Sequence, residues 1–177
     1  ERINNRTSKS HSWFLDMQLI MSYWGEGKKR AYHHTAPVNA LYGLHESLLI
    51  LKEEGLETSF TRHRTNHQAL VAGLEAMGLE MAVDQDFRLP QLNSVYIPDG
   101  IDDGKTRNLL LNDFNLEIGA GLGELAGKTW RIGLMGHSST RRNILTCLAS
   151  LETVMAKQGY DLVTGAAIDA AKSVLDT

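Results

Sequence analysis

The sequence predicts an α/β unit, and three observations carry that prediction. After Gly55, short segments of helical and of alternating period follow one another with turn residues between them, as expected for helices packed on a sheet. Before Gly55 the apolar positions recur only at three and four residues, so that region reads as helical. With 177 residues, 42% of them hydrophobic and 22% charged, the chain is of a size to bury a core.

The elements are expected in the following order. Glu1 to Ser12 is polar and without a period, a linker or frayed end. Phe14, Met17, Ile20, Met21 and Trp24 share a helical face, and Gly25 and Gly27 stop that helix. A second helix runs from about Ala36 to Glu54, with Thr35 as N-cap, Pro37 in the first turn, and Leu41, Leu44, Leu48 and Leu51 on one side. Gly55 ends it, and a third helix from about Glu57 to Met77 closes at Gly78. Leu79, Met81 and Val83 alternate as a strand, and Ser94 to Ile97 form another, stopped by Pro98-Asp99-Gly100. Asp102 or Asp103 starts a helix reaching Asp113, with Leu109, Leu110 and Phe114 inward. Leu116 to Ile118 and Thr129 to Leu134 read as strands around a Gly-rich connection. The last strong helix follows Ser138-Ser139-Thr140 and runs to about Lys157. Tyr160 to Thr177 is a weaker helix or tail.

Composition narrows the partners. Eighteen Lys and Arg against twenty-one Asp and Glu give a formal charge of −3, and the longest basic run is Lys28-Lys29-Arg30, so neither nucleic acid nor an anionic membrane is an expected partner. The apolar stretch Trp13 to Trp24 is broken by Asp16, Gln18 and Ser22, and is shorter than the roughly 18 residues a spanning helix needs. Cys147, the single cysteine, lies at helical spacing with Ile144, Leu148, Leu151 and Met155 and reads as a small core residue. A start without Met and without a charged-then-apolar leader reads as an interior cut, making the chain a C-terminal piece of something longer.

Four segments invite chemistry. Gly119-Ala120-Gly121-Leu122-Gly123 leads to Gly127-Lys128-Thr129, but a phosphate-binding P-loop requires Gly where Leu122 stands. The stretch is therefore a turn between strands, or a loop whose backbone passes close to a ligand. His63 and His67 are four apart on a helix, in His-Arg-Thr-Asn-His, without the Glu of a zinc protease, so they are placed on a solvated face and no metal site is expected. His11, His45 and His137 are isolated. Tyr32-His33-His34-Thr35 at the mouth of a helix is either an anion site built of hydroxyls and first-turn N–H groups, or a capped helix with a packed Tyr. Arg131, in Thr129-Trp130-Arg131-Ile132-Gly133-Leu134, projects from the face opposite Trp130, Ile132 and Leu134. A charge so placed needs a carboxylate, either internal or from a ligand.

Several strings taken together resemble one family: Tyr32-His33-His34-Thr35-Ala36-Pro37-Val38 through Leu48, Glu54-Gly55-Leu56-Glu57, Arg88-Leu89-Pro90, Glu117 through Gly123, and Trp130 through Gly136. Over about residues 10 to 157, and in order, they are similar to the C-terminal half of an alanine:glyoxylate / serine:pyruvate aminotransferase, a class V, fold type I enzyme using pyridoxal 5'-phosphate (PLP). The resemblance implies that residues 1–54 are the end of the large PLP-binding domain and 55–177 the small C-terminal α/β domain. It implies that Tyr32 and Thr35 reach the phosphate of the partner subunit's PLP across a homodimer interface, and that Arg131 holds the α-carboxylate of the amino or keto acid. Gly119 to Gly123 corresponds to a loop near the substrate side.

The family's Schiff-base lysine lies upstream of the matched segment. None of the eight lysines here (Lys9, Lys28, Lys29, Lys52, Lys105, Lys128, Lys157, Lys172) has its surroundings. The resemblance therefore implies a parent enzyme moving an amino group from alanine or serine to glyoxylate or pyruvate, and a chain that is inactive alone. Transamination of 2-aminoethylphosphonate or 3-hydroxykynurenine is the alternative within the fold, and a non-catalytic α/β interaction module the alternative outside it. The ending Ser173-Val174-Leu175-Asp176-Thr177 is not a peroxisomal signal, and a cytoplasmic location is expected.

Overall fold

The computed structural model describes residues 2–24 and 31–177. The chain divides into two compact units, Glu1–Ile50 and Leu51–Thr177. Among the described residues no helix is long and apolar enough to cross a membrane.

The first unit is helical but sparsely packed. The expected helix over Trp13 to Trp24 is reduced to α1, Met17–Ile20, and a single 3-10 turn, Met21–Tyr23. Asp16 caps α1, accepting from the Gln18 N–H at 3.0 Å, and also pairs with Arg6 at 3.2 Å. Those bonds start the helix three residues later than its apolar period suggests. Gly25, Gly27 and the basic run Lys28 to Arg30 lie outside the described residues. The helix α2, Val38–Glu54, begins two residues after the expected start. Pro37 is the reason: it disfavours helical geometry at Ala36 and has no N–H for Thr35 to cap. The Pro37 carbonyl itself accepts the first helical bond, from Leu41 N–H at 3.0 Å. Thr35 is therefore not the N-cap.

The second unit holds the core. Gly55, at φ +84°, breaks the chain between α2 and α3, Leu56–Ala76. Three antiparallel strands, β1 (Leu92–Tyr96), β2 (Gly119–Ala120) and β3 (Thr129–Gly133), form a sheet in the order β1-β3-β2. The remaining helices are α4 (Asp103–Phe114), α5 (Arg141–Ala156) and α6 (Ala166–Leu175). Asp102 and Thr140 cap α4 and α5, accepting from Lys105 N–H at 2.6 Å and Asn143 N–H at 3.2 Å.

The inner sheet face contributes Val95, Trp130 and Ile132 to a core completed by Leu70 and Leu74 of α3, Leu110 of α4, and Ile144, Leu148, Leu151 and Met155 of α5. Two expectations change in this unit. Leu79 to Val83 is not a full strand: Met81 bridges Val95, Glu80 and Ala82 bond Tyr96 and Ser94, and Val83 is exposed. The strand expected at Leu116 to Ile118 lies instead at Gly119–Ala120, where the small residues allow close pairing with β3. Of the two readings of Tyr160 to Thr177, a weaker helix or a tail, the helix is found: α6, whose Ala167 and Ala171 are fully buried. Gly73 on α3 makes that packing possible, since a Cβ there would stand 3.0 Å from the Ala167 carbonyl and 2.4 Å from a Leu148 methyl.

Cys147 is a core residue as its spacing indicates, and burial pushes its thiol pKa up to about 12. A maleimide or disulfide reagent at pH 8 should leave the native chain unmodified and label it only in denaturant, because the thiolate is the nucleophile. Rapid labelling of the native chain, followed by mass spectrometry, would contradict this packing.

Candidate functional site

In the first unit, Tyr32 and Thr35 are brought together, their hydroxyls 2.5 Å apart and both side chains exposed. Tyr23 fixes His34, which lies between the two in the chain: its hydroxyl donates to the His34 carbonyl and accepts from the His34 N–H at 2.8 Å. His33 stacks at 4.1 Å on Trp13, and His34 lies 4.5 Å from Phe14. Beside them is an open cleft of about 420 Å³ lined by Ile20, Tyr23, Trp24, Tyr32, His34 and Ala36. The first-turn N–H groups of Asn39 and Ala40 have no intrahelical carbonyl to reach. Two exposed hydroxyls beside such donors suit a phosphate ester, so these residues fit the phosphate end of PLP.

Arg131 belongs to the second unit. On β3 it alternates with the buried Trp130 and Ile132, so its side chain leaves the outer sheet face and is half-buried. Its Nε donates to the Ala120 carbonyl of β2 at 2.7 Å. The guanidinium lies over Gly119, where a Cβ would come within 3.3 Å of Nη2. Among the described residues no carboxylate lies within 4.0 Å of it. Of the two partners open to Arg131, the internal one is therefore missing from the described residues, where neither Nη group donates a hydrogen bond, and a guanidinium fork suits a carboxylate.

The Gly-rich connection has an intrachain reason for its glycines. At Gly121 a Cβ would sit 2.0 Å from the Leu125 carbonyl oxygen and 2.6 Å from the Thr129 hydroxyl, and the Gly121 N–H donates to Thr129 O at 2.8 Å. The backbone folds tightly on itself and holds the Ala120 carbonyl against Arg131.

His63 and His67 are not on a solvated face. His63 is buried, its Nδ1 2.7 Å from the Ser59 carbonyl and its Nε2 accepting from Gly136 N–H at 3.0 Å. His67 Nδ1 is 2.6 Å from the Asn93 side-chain oxygen, and Asn93, also buried, donates to the Ile132 carbonyl at 3.3 Å. Arg62 grips Glu54 with two nitrogens, at 2.5 and 2.9 Å, and donates to the carbonyls of Gly136 and Ser139 at 2.9 and 2.8 Å. The Arg62 bond holds the Glu54 carboxyl below the usual range. These α3 side chains pin the loop that follows β3, a positioning role that sequence spacing alone did not indicate. The available signal was the density of polar groups, Arg62, His63, Asn66 and His67, on a helix that also carries core residues.

A three-stranded antiparallel sheet with helices on one face and an arginine on the other matches solved aminotransferases of class V, fold type I, over their C-terminal portion. The crystal structure of ureidoglycine–glyoxylate aminotransferase from Bacillus subtilis superimposes with a TM-score of 0.87 at 41% identity, covering 94% of this chain and 43% of that one. Among curated relatives, (S)-ureidoglycine–glyoxylate transaminase of Bacillus subtilis is 42% identical over 163 residues, 92% of this chain and 39% of its own length. Alanine–glyoxylate aminotransferase of Felis catus is 39% identical over 158 residues, 88% of this chain and 38% of its own. No family model matches the chain. The chain belongs to the alanine–glyoxylate and ureidoglycine–glyoxylate aminotransferase family, and it spans about two fifths of the length of these relatives.

Proposed function

We propose that this chain supplies the carboxylate-binding half of a PLP-dependent aminotransferase that moves an amino group from alanine or serine to glyoxylate or pyruvate. The observation that carries the reading is Arg131, a half-buried guanidinium whose only hydrogen bond among the described residues is to a backbone carbonyl. Glyoxylate as acceptor is supported by the names of both relatives.

In this reading Arg131 binds and orients the α-carboxylate through its two Nη groups, with Ala120 and Gly119 setting the tilt of the fork. The hydroxyls of Tyr32 and Thr35 hold the phosphate of the partner subunit's PLP. PLP, when bound, supplies the electron sink for the amino-group exchange. Residues 1–54 are assigned to the end of the large PLP-binding domain and 55–177 to the small domain. Homodimerisation is supported by α2, none of whose residues is buried although Val38, Leu41, Tyr42, Leu44, Leu48 and Leu49 lie along it. A cytoplasmic location remains part of the proposal.

The same reading makes the chain inactive by itself. Lys9, Lys52, Lys105, Lys128, Lys157 and Lys172 are all exposed, whereas a Schiff-base lysine is activated by a desolvated site; Lys28 and Lys29 lie outside the described residues. The test is borohydride reduction of the chain incubated with PLP, followed by peptide mapping. Scattered, substoichiometric adducts are expected, together with no transamination of alanine and glyoxylate. A single stoichiometric adduct, or turnover, would overturn this part of the reading.

A further inference from the structure

The loop between β3 and α5 is held at one point by an imidazole in a single protonation state. Gly136 opens the 3-10 turn Gly136–Ser138, three residues beyond the end of β3. Its N–H donates to His63 Nε2 at 3.0 Å, while His63 Nδ1 is 2.7 Å from the Ser59 carbonyl. A carbonyl only accepts, so the ring proton sits on Nδ1; an N–H only donates, so Nε2 must keep its lone pair. His63 is buried, and neither nitrogen turns to solvent instead. A second proton on the ring would set an imidazolium N–H against the N–H of Gly136. The latched loop therefore binds one proton fewer than the released loop, and by linkage falling pH favours release.

Gly136 can follow that change. It is exposed, at φ +52°, and nothing lies within 4 Å of where its Cβ would stand, so the backbone is free to turn and water can meet the freed N–H. Turning the Met135–Gly136 peptide also gives up the bond from Ser138 N–H to the Met135 carbonyl, 3.0 Å long. The far end of the loop has anchors that keep their charge state. Arg62 donates to the Ser139 carbonyl at 2.8 Å, its partner Glu54 is held below the usual carboxyl range, and Asn66 Nδ2 donates to the Ser139 hydroxyl at 3.0 Å. The charged and titratable groups around His63 among the described residues are Glu54 of α2 and Arg62 of α3, joined to each other, then His67 one turn along α3 and His137 on the loop. His67 is bonded to Asn93 of β1, and Arg141 at the start of α5 is paired with Asp176.

We propose that His63 is an acid-released latch: neutral, it holds the Gly136 amide and fixes the loop that follows the Arg131 strand; protonated, it lets that amide go while Arg62 and Asn66 keep Ser139 in place. The latch is independent of what Arg131 binds. The experiment is NMR of the chain from about pH 8 to about pH 5, for wild type, His63→Gln, His67→Gln and His137→Gln. It follows the His63 ring nitrogens and the exchange protection of the Gly136, Ser138 and Ser139 amides, corrected for the pH dependence of intrinsic exchange. Wild type should carry its ring proton on Nδ1 at the upper end. Protection at Gly136 and Ser138 should then fall about tenfold along the His63 titration, while Ser139 changes less than about twofold. His63→Gln offers the Gly136 N–H an amide oxygen that takes up no proton in this range, and should abolish the step. His67→Gln and His137→Gln should retain it.

If His63 stays neutral down to about pH 5, carries its proton on Nε2 at the upper end, or titrates without a change at Gly136, the latch is overturned. Those three results come from wild type alone, so they decide the matter even where His63→Gln does not fold. A step that persists in His63→Gln, or is lost in His67→Gln or His137→Gln, assigns the release to another group and overturns the proposal as well.

Discussion

Arg131→Ala in the full-length enzyme is expected to raise KM for both the amino acid and the keto acid by roughly 100-fold, since truncating one partner of a partly desolvated charge pair removes about 3 kcal/mol. The side chain is already oriented, with Nε on the Ala120 carbonyl and the guanidinium over Gly119. The lost interaction is therefore one made in ground and transition states alike, and kcat should fall less than kcat/KM. Arg131→Lys should recover only part of the loss. It retains a charge but loses both the planar fork and the geometry of the Nε bond. Steady-state kinetics with glyoxylate varied at fixed alanine, and the reverse, would check this. An unchanged KM in Arg131→Ala would remove the residue from the substrate site.

Trp130→Ala should produce the largest loss of stability in the second unit, about 3–5 kcal/mol. Trp130 is fully buried beside Arg131 in sequence, and its indole N–H donates to Asp103 Oδ1 at 3.1 Å. Truncation would leave a cavity in the core and an acceptor with one donor fewer. Trp130→Phe keeps most of the volume and should cost much less. Urea unfolding followed by circular dichroism would separate the two. A Trp130→Ala midpoint within error of wild type would contradict the described core. Acid should erode the Asp103 contribution in a definite direction. The Arg107 hydrogen bonds hold the Asp103 carboxyl below its ordinary range. A lowered folded-state pKa stabilises at neutral pH, and that stabilisation is lost as pH falls below about 4 toward the lowered value.

Much of the second unit was legible in the sequence because its signals are local. Gly55 and Gly78 delimit α3, and Asp102 and Thr140 mark the starts of α4 and α5 within one residue of where they form. The alternation of Trp130, Arg131 and Ile132 placed Arg131 on the right face before any partner was known. What was not legible depended on tertiary partners. Nothing in the spacing of His63 and His67 told that Gly136 and Asn93 would come to meet them. The Ala-rich stretch near the C-terminus reads as a weaker helix or a tail, and its close seating against Gly73 of α3 accompanies the helix α6. At Thr35 two local rules competed. The preference of threonine for caps lost to the backbone restriction that Pro37 places on Ala36.

The seating of α6 against α3 also constrains the order of events on the ribosome. α3 is made early, but Ala167 and Ala171, which complete its covering, are synthesised about ninety residues later in the chain. During translation the face of α3 around Gly73 stays uncovered by Ala167 until α6 clears the exit tunnel. The second unit therefore completes its fold only once α6 has been made, and a nascent chain stalled before it would leave that face of α3 uncovered.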